Sequence, residues 1–183
     1  MNPEDCILFS GAAKGAEAAF GAAAEKYGVE EVNFTFDGHK DERSRGIRVL
    51  TQAELRQGDV SLNYVSRLMN RSFPDTPRLR SVLQCIWHQI NNGQDVFIVG
   101  KILDDDTVKG GTGWGAEFAK LCNKQPAVFD QEVDGWFRWT GKSWEAEAEP
   151  VIRQVALAGG GTRALEDNGL AAINALFDRS FGR

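Results

Sequence analysis

Three glycine clusters hold the residue types best suited to chemistry. They are Ser10-Gly-Ala-Ala-Lys-Gly15, Lys109-Gly-Gly-Thr-Gly-Trp-Gly115 and Gly159-Gly-Gly-Thr-Arg163. Without a Cβ, backbone N–H groups can close on an anion, and each cluster also brings a cation: Lys14, Lys109 or Arg163. A glycine loop between the carboxyl end of a strand and the start of a helix gains the helix's own unpaired N–H groups, which favour phosphate. On this reading Ser10, Gly11, Ala12, Lys14 and Gly15 form one side of a phosphate site. Gly110, Gly111, Thr112 and Gly113 form the other, with Arg163 as a further contact. The competing reading is that these are turns requiring positive φ. Neither of the first two clusters has the spacing G-x-G-x-x-G, and neither ends in Gly-Lys-Ser/Thr, which disfavours an ordinary NAD enzyme or NTPase.

Other candidates lie near the clusters. Asp37-Gly-His-Lys-Asp-Glu-Arg-Ser-Arg-Gly-Ile-Arg48 offers His39, Arg43 and Arg45 as phosphate contacts, although its interleaved acids also suit a self-paired, solvated loop. Glu117 follows the second cluster. It can stabilise an oxocarbenium-like centre or activate water, or it can serve only the helix dipole. His88 falls opposite the apolar face of its helix and reads as exposed polar surface. Asp104-Asp-Asp106 reads as a turn, since three adjacent acids seldom converge on one ion. Cys6, Cys85 and Cys122 are odd in number, set in apolar surroundings and without a C-x-x-C, so neither a zinc site nor a disulfide scaffold is expected. No G-x-S-x-G surrounds Ser10.

These residues need elements to position them. Cys6-Ile-Leu-Phe9 reads as a buried strand, and Ala16, Phe20, Ala23 and Tyr27 mark one face of a helix that Gly28 ends. Val32–Phe36 is a second strand, so the first 36 residues spell the βαβ unit of a parallel sheet. Thr51-Gln-Ala-Glu54 is a capping box, and a short helix is expected near Leu62–Met69. Leu79, Val82, Leu83, Ile86 and Ile90 then give a longer helix leading into the strand Val96–Val99. A helix over 112–123, a strand at Ala127–Phe129 and a β-hairpin around Thr140-Gly-Lys142 follow. Val155–Leu157 reads as a strand, 159–161 as a glycine turn, and the C-terminus as a helix. Trp136, Trp139 and Trp144 in the hairpin suit packing first and an interface second.

Ser10-Gly-Ala-Ala-Lys-Gly-Ala-Glu17 after an N-terminal strand resembles the S-G-G-A-x-G-A-D loop of the SLOG superfamily. Lys109-Gly-Gly-Thr-Gly-Trp-Gly-Ala-Glu117 resembles the P-G-G-x-G-T-x-x-E motif of the Lonely Guy (lysine-decarboxylase-like) phosphoribohydrolases within it. The superfamily also holds the molybdenum-cofactor carrier proteins and DNA-processing protein A. The resemblance spans roughly residues 5–130. It implies a Rossmann-like three-layer α/β sandwich with a mostly parallel central sheet, here carrying a small β-hairpin appendage at about 133–150. It also implies one domain over 1–183 that binds a nucleotide or a molybdopterin-type cofactor, with the layout nearest the molybdenum-cofactor carrier-like branch. Ala12, Glu17, Lys109 and Trp114 depart from the two motifs, and the M-x-x-R-K motif that supplies the phosphoribohydrolases' catalytic arginine is not seen before Lys109.

Composition narrows the ligand. A net charge of −5 and a pI near 5.1 give the chain no general attraction for nucleic-acid polymers or anionic lipid. The longest apolar stretches are strand-sized, and the N-terminus lacks the pattern of a secretory signal, which suits a cytoplasmic protein. Three functions remain open. The leading one is a binder of a small phosphorylated nucleotide or nucleotide-like cofactor, expected to be a homo-oligomer without a structural metal. The second is a nucleotide N-glycosidase or phosphoribohydrolase using Glu117 as its catalytic residue. The third is an interaction module working through the tryptophan hairpin.

Overall fold

The computed structural model describes residues 1–182. Its first elements are β1 (Ile7–Ser10), α1 (Ala16–Tyr27) and β2 (Glu30–Thr35), the strand, turn, helix and strand read from the sequence. Gly28 ends α1 in the left-handed conformation, at φ 77°, and its N–H reaches the Ala24 carbonyl. There follow β3 (Ile47–Val49), α2 (Gln52–Arg56), α3 (Asp59–Leu68), α4 (Pro77–Asn92), β4 (Asp95–Gly100) and α5 (Thr112–Leu121). The chain continues through β5 (Ala127–Asp130), β6 (Gly135–Trp139), β7 (Trp144–Ala146), β8 (Ala156–Gly161) and α6 (Asp167–Phe181).

The strands form one sheet in the order β3-β2-β1-β8-β4-β5-β6-β7. The pairings from β3 through β5 are all parallel, whereas β6 and β7 join antiparallel. Helices cover both faces, as a parallel sheet requires. On one face Phe20 of α1 and Ile173, Leu176 and Phe177 of α6 pack on Leu8, Phe97 and Leu157. On the other, Leu62, Val65, Leu83, Ile90, Trp114 and Phe118 from α3, α4 and α5 cover Val96, Ile98 and Val128. Successive side chains of β4 therefore enter opposite layers, which is why Val96–Val99 is apolar without alternation. This is a Rossmann-like three-layer α/β sandwich. No helix among the described residues is long and apolar enough to cross a membrane.

Four local expectations are corrected. Gly159–Gly161 is not a turn but the second half of β8, the central strand between β1 and β4. It is glycine because neighbours fill the space: a Cβ on Gly159 would lie 2.6 Å from the Phe20 ring. The hairpin is no detached appendage, since β6 pairs with β5 and extends the sheet. Its Trp136 is buried against Phe97 and Phe129, while Trp139 and Trp144 stand 5.3 Å apart with the Lys120 ammonium 3.9 Å over the Trp139 ring. His88 is buried rather than exposed, because α2 covers that side of α4 and the Glu54 carbonyl lies 2.8 Å from Nε2. Cys122 is exposed, unlike Cys6 and Cys85. The acidic run at 104–106 is a turn as expected: Asp105 accepts from both the N–H and the hydroxyl of Thr107.

Candidate ligand-binding cleft

A cleft of about 520 Å³ opens at the carboxyl ends of β1, β2, β4, β5 and β8, where ligands bind in open α/β sheets. Two kinds of group line it. Phe34, Phe36, Val82, Cys85 and Ile86, from the end of β2 and from α4, are apolar. Lys14, Lys109, Gly110, Gly111, Thr112 and Arg163 supply cations and backbone amides, with the start of α5 lying beside α4: a Cβ on Gly111 would be 3.7 Å from Leu83. The first set suits a flat ring and the second an anion.

The second glycine cluster opens α5 at the edge of the cleft. Gly111 caps α5, whose first residue is Thr112, and the amides of Gly110, Gly111 and Thr112 donate to no carbonyl among the described residues. Gly110 needs its glycine, with φ at 70°. Arg71 holds this loop from behind. Its guanidinium donates to the carbonyls of Val108 (3.0 Å) and Gly110 (3.1 Å) and to the Thr107 hydroxyl (2.9 Å). Sequence reasoning misses Arg71, because its local pattern is that of any surface arginine. Gly113 does not reach the cleft, being packed on Val108 and Arg71.

The first cluster is arranged differently. Only Ala13 and Lys14 of it line the cleft. Ser10 is buried and donates to the Gly159 carbonyl at 2.5 Å. The Ala12 carbonyl accepts from the amides of Glu42 and Arg43. Gly15, at φ 94°, packs against the backbone of Thr162 and Arg163. Glu17 in the first turn of α1 folds back on this loop: Oε2 accepts the Ala13 N–H at 3.0 Å, and Oε1 accepts the Gln89 amide at 3.1 Å. The anion position at this helix N-terminus is thus already filled by a carboxylate of the protein itself.

The remaining candidates divide. His39 lines the cleft beside Arg163, with the Arg163 Nη2 3.4 Å from its Nε2. The Asp41 carboxylate lies 2.6 Å from His39 Nδ1 and holds a proton there. Arg43 and Arg45 do not reach the cleft; both bind the buried carboxylate of Glu31, and Arg43 also binds Glu25. Glu117 does not line it either. It pairs with Lys120 at 3.4 Å, on the side of α5 where Lys120 meets the tryptophan hairpin. Among the described residues, Lys14, Lys109 and Arg163 have no carboxylate partner, whereas Lys101 is engaged by Glu132. The cleft therefore keeps a local positive balance in an acidic protein.

Two ionisable groups in the cleft are displaced by burial. Desolvation pushes the Glu17 carboxyl above the usual glutamate range, opposed by the hydrogen bonds from Gln89 and Ala13 and by the charges of His39 and Arg163. Burial likewise pushes the Cys85 thiol far up, so it is an inert part of the apolar wall. Glu17, Gln89, Phe34 and Phe36 do not stand out as site residues in the sequence, although Glu17 closes the first motif.

No protein-family model, no curated protein and no solved structure matches this chain. The class that fold and cleft define is that of Rossmann-like α/β proteins with an open cleft at the carboxyl rim of the sheet.

Proposed function

We propose that the cleft binds a small phosphorylated nucleotide or nucleotide-like cofactor. The observation that carries this reading is that one cleft holds two unlike sets of groups. Three open amides at the start of α5 and the cations Lys14, Lys109 and Arg163 line the same cleft as apolar side chains that include two phenylalanines. The phosphate would lie on Gly110–Thr112, where dipole, amides and cations act together, and not on the first loop, where the Glu17 carboxyl already takes the Ala13 N–H. The two glycine motifs on one rim also support SLOG membership, and a phosphorylated pterin of the molybdenum-cofactor type belongs to the ligand class. The enzymatic reading loses the carboxylate assigned to it, since Glu117 lies outside the cleft. The tryptophans of the interaction reading are spent largely on internal packing.

Gly111→Val tests the proposal. A Cβ there meets nothing nearer than the Leu83 side chain at 3.7 Å, so the fold tolerates it while the added branches crowd the amides. Titration calorimetry with nucleoside monophosphates should show binding to the native protein and at least a tenfold loss in the variant, about 1.4 kcal/mol. Unchanged affinity in the variant would refute this placement of the phosphate. Native mass spectrometry of freshly purified protein should reveal the co-purifying ligand by mass.

A further inference from the structure

The floor of the cleft holds a polar pair that phosphate binding does not use. Glu17 and Gln89 come from different helices, α1 and α4, and meet beneath the sheet's rim. Two glycines clear the room for them. A Cβ on Gly11 would lie 2.8 Å from both the Glu17 carboxyl carbon and the Gln89 amide nitrogen. One on Gly160 would lie 3.4 Å from Gln89 Oε1. Gly11, read from sequence as part of a phosphate cradle, is the seat of this pair instead.

The hydrogen-bond capacity left over is informative. Each Glu17 oxygen has taken one protein donor, which leaves each with a further lone pair. Gln89 is 3% exposed, lines the cleft, and its Oε1 accepts no hydrogen bond among the described residues. The ionised pair thus offers adjacent acceptors on Glu17 and on Gln89 Oε1, with a single unspent Gln89 N–H, beside an apolar wall. A buried acceptor left without a donor costs about 1–3 kcal/mol, so the site discriminates by what it leaves unpaired.

We propose that Glu17 and Gln89 read the heterocycle of the ligand and select a ring edge with adjacent N–H donors, such as N1–H and the 2-amino group of guanine. An adenine edge offers one amino donor beside the acceptor N1, and so leaves one Glu17 oxygen without the second donor that guanine supplies. This assignment rests on the nucleotide reading above and gives the ligand a direction, with phosphate at α5 and ring at Glu17. Because burial favours the neutral carboxyl and the ring needs the ionised one, binding releases a proton. Affinity for a guanine nucleotide therefore climbs with pH until Glu17 is ionised in the free protein, then levels.

The test is calorimetric titration with GMP, IMP, AMP and ribose 5-phosphate across a pH series. Expected is the order GMP, IMP, AMP, with GMP about tenfold tighter than AMP. The GMP-to-AMP ratio should rise with pH, AMP serving to cancel the phosphate's own titration. Glu17→Gln should bring the ratio near one and flatten its pH dependence while ribose 5-phosphate binds as before. AMP binding as tightly as GMP in the native protein, or a preference that survives in Glu17→Gln, would overturn the assignment. If none of the four ligands bound, the nucleotide reading itself would fall.

Discussion

Glu17 in helix α1 is half-buried and Glu31 beside it is buried, and the two glutamates have been treated in opposite ways. Glu31 in β2 is met by Arg43, Arg45 and the Asn33 amide, so its charge is neutralised inside the protein. Glu17 has only uncharged donors within hydrogen-bond distance and stands open to the cleft. A buried carboxylate matched by guanidinium groups pins structure, here the loop from Asp37 to Arg48. One held by neutral amides keeps free capacity for something not part of the chain. The difference also explains why Arg43 and Arg45 are structural: their charge is consumed before any ligand arrives.

The largest effect should come from removing Glu31. Glu31→Ala leaves two arginines without their buried partner and should cost about 3–5 kcal/mol in urea denaturation. A change under about 1 kcal/mol would erase the contrast with Glu17. Gly11→Ala should come next, at about 1–3 kcal/mol, because its Cβ displaces Glu17 and Gln89 together. It should also remove base selectivity, read by the same titrations. Arg71→Ala should loosen the second loop and weaken monophosphate binding by about tenfold, leaving base preference intact.

Acid and base should then separate the kinds of carboxylate. Glu17 titrates above its unfolded value, so the free protein should lose stability as pH rises from the ordinary glutamate range through the raised value. Glu17→Gln should remove that slope, so that its melting temperature relative to the native protein rises with pH. Glu54 behaves the other way. The Thr51 N–H, then Arg48, hold its carboxyl below the usual range, so its contribution is present at neutral pH and disappears as pH falls through the depressed value. Thr51→Ala, the smallest effect, should cost about 1 kcal/mol through loss of the cap.

Local patterns are legible in the sequence. Helix periodicity and glycine punctuation place β1, α1 and β2, and they put both motifs at strand-to-helix junctions. The order of strands is not legible: β8 inserts between β1 and β4, a non-local pairing that no window of sequence encodes. For the same reason Gly159–Gly161 passes for a turn, since glycine in a crowded central strand has the composition of a loop. His88 misleads because α4 is covered on two sides, by the sheet and by α2. Glu117 is within reach of simple geometry. It stands five residues after Thr112, about 140° around the helix from the residue that faces the cleft. Glu17 is hidden by its motif position, where an acid reads as a partner of the helix dipole.

The central claim is that one ligand spans the cleft, phosphate on the α5 amides and ring on Glu17 and Gln89. Amide chemical shifts followed by NMR during titration with GMP, and separately with guanosine, test it most directly. GMP should move the amides of Gly110, Gly111 and Thr112 and the side-chain amide of Gln89, whereas guanosine should move Gln89 alone. Binding of GMP that leaves the three backbone amides in place, or shifts gathered on β6 and β7, would contradict it.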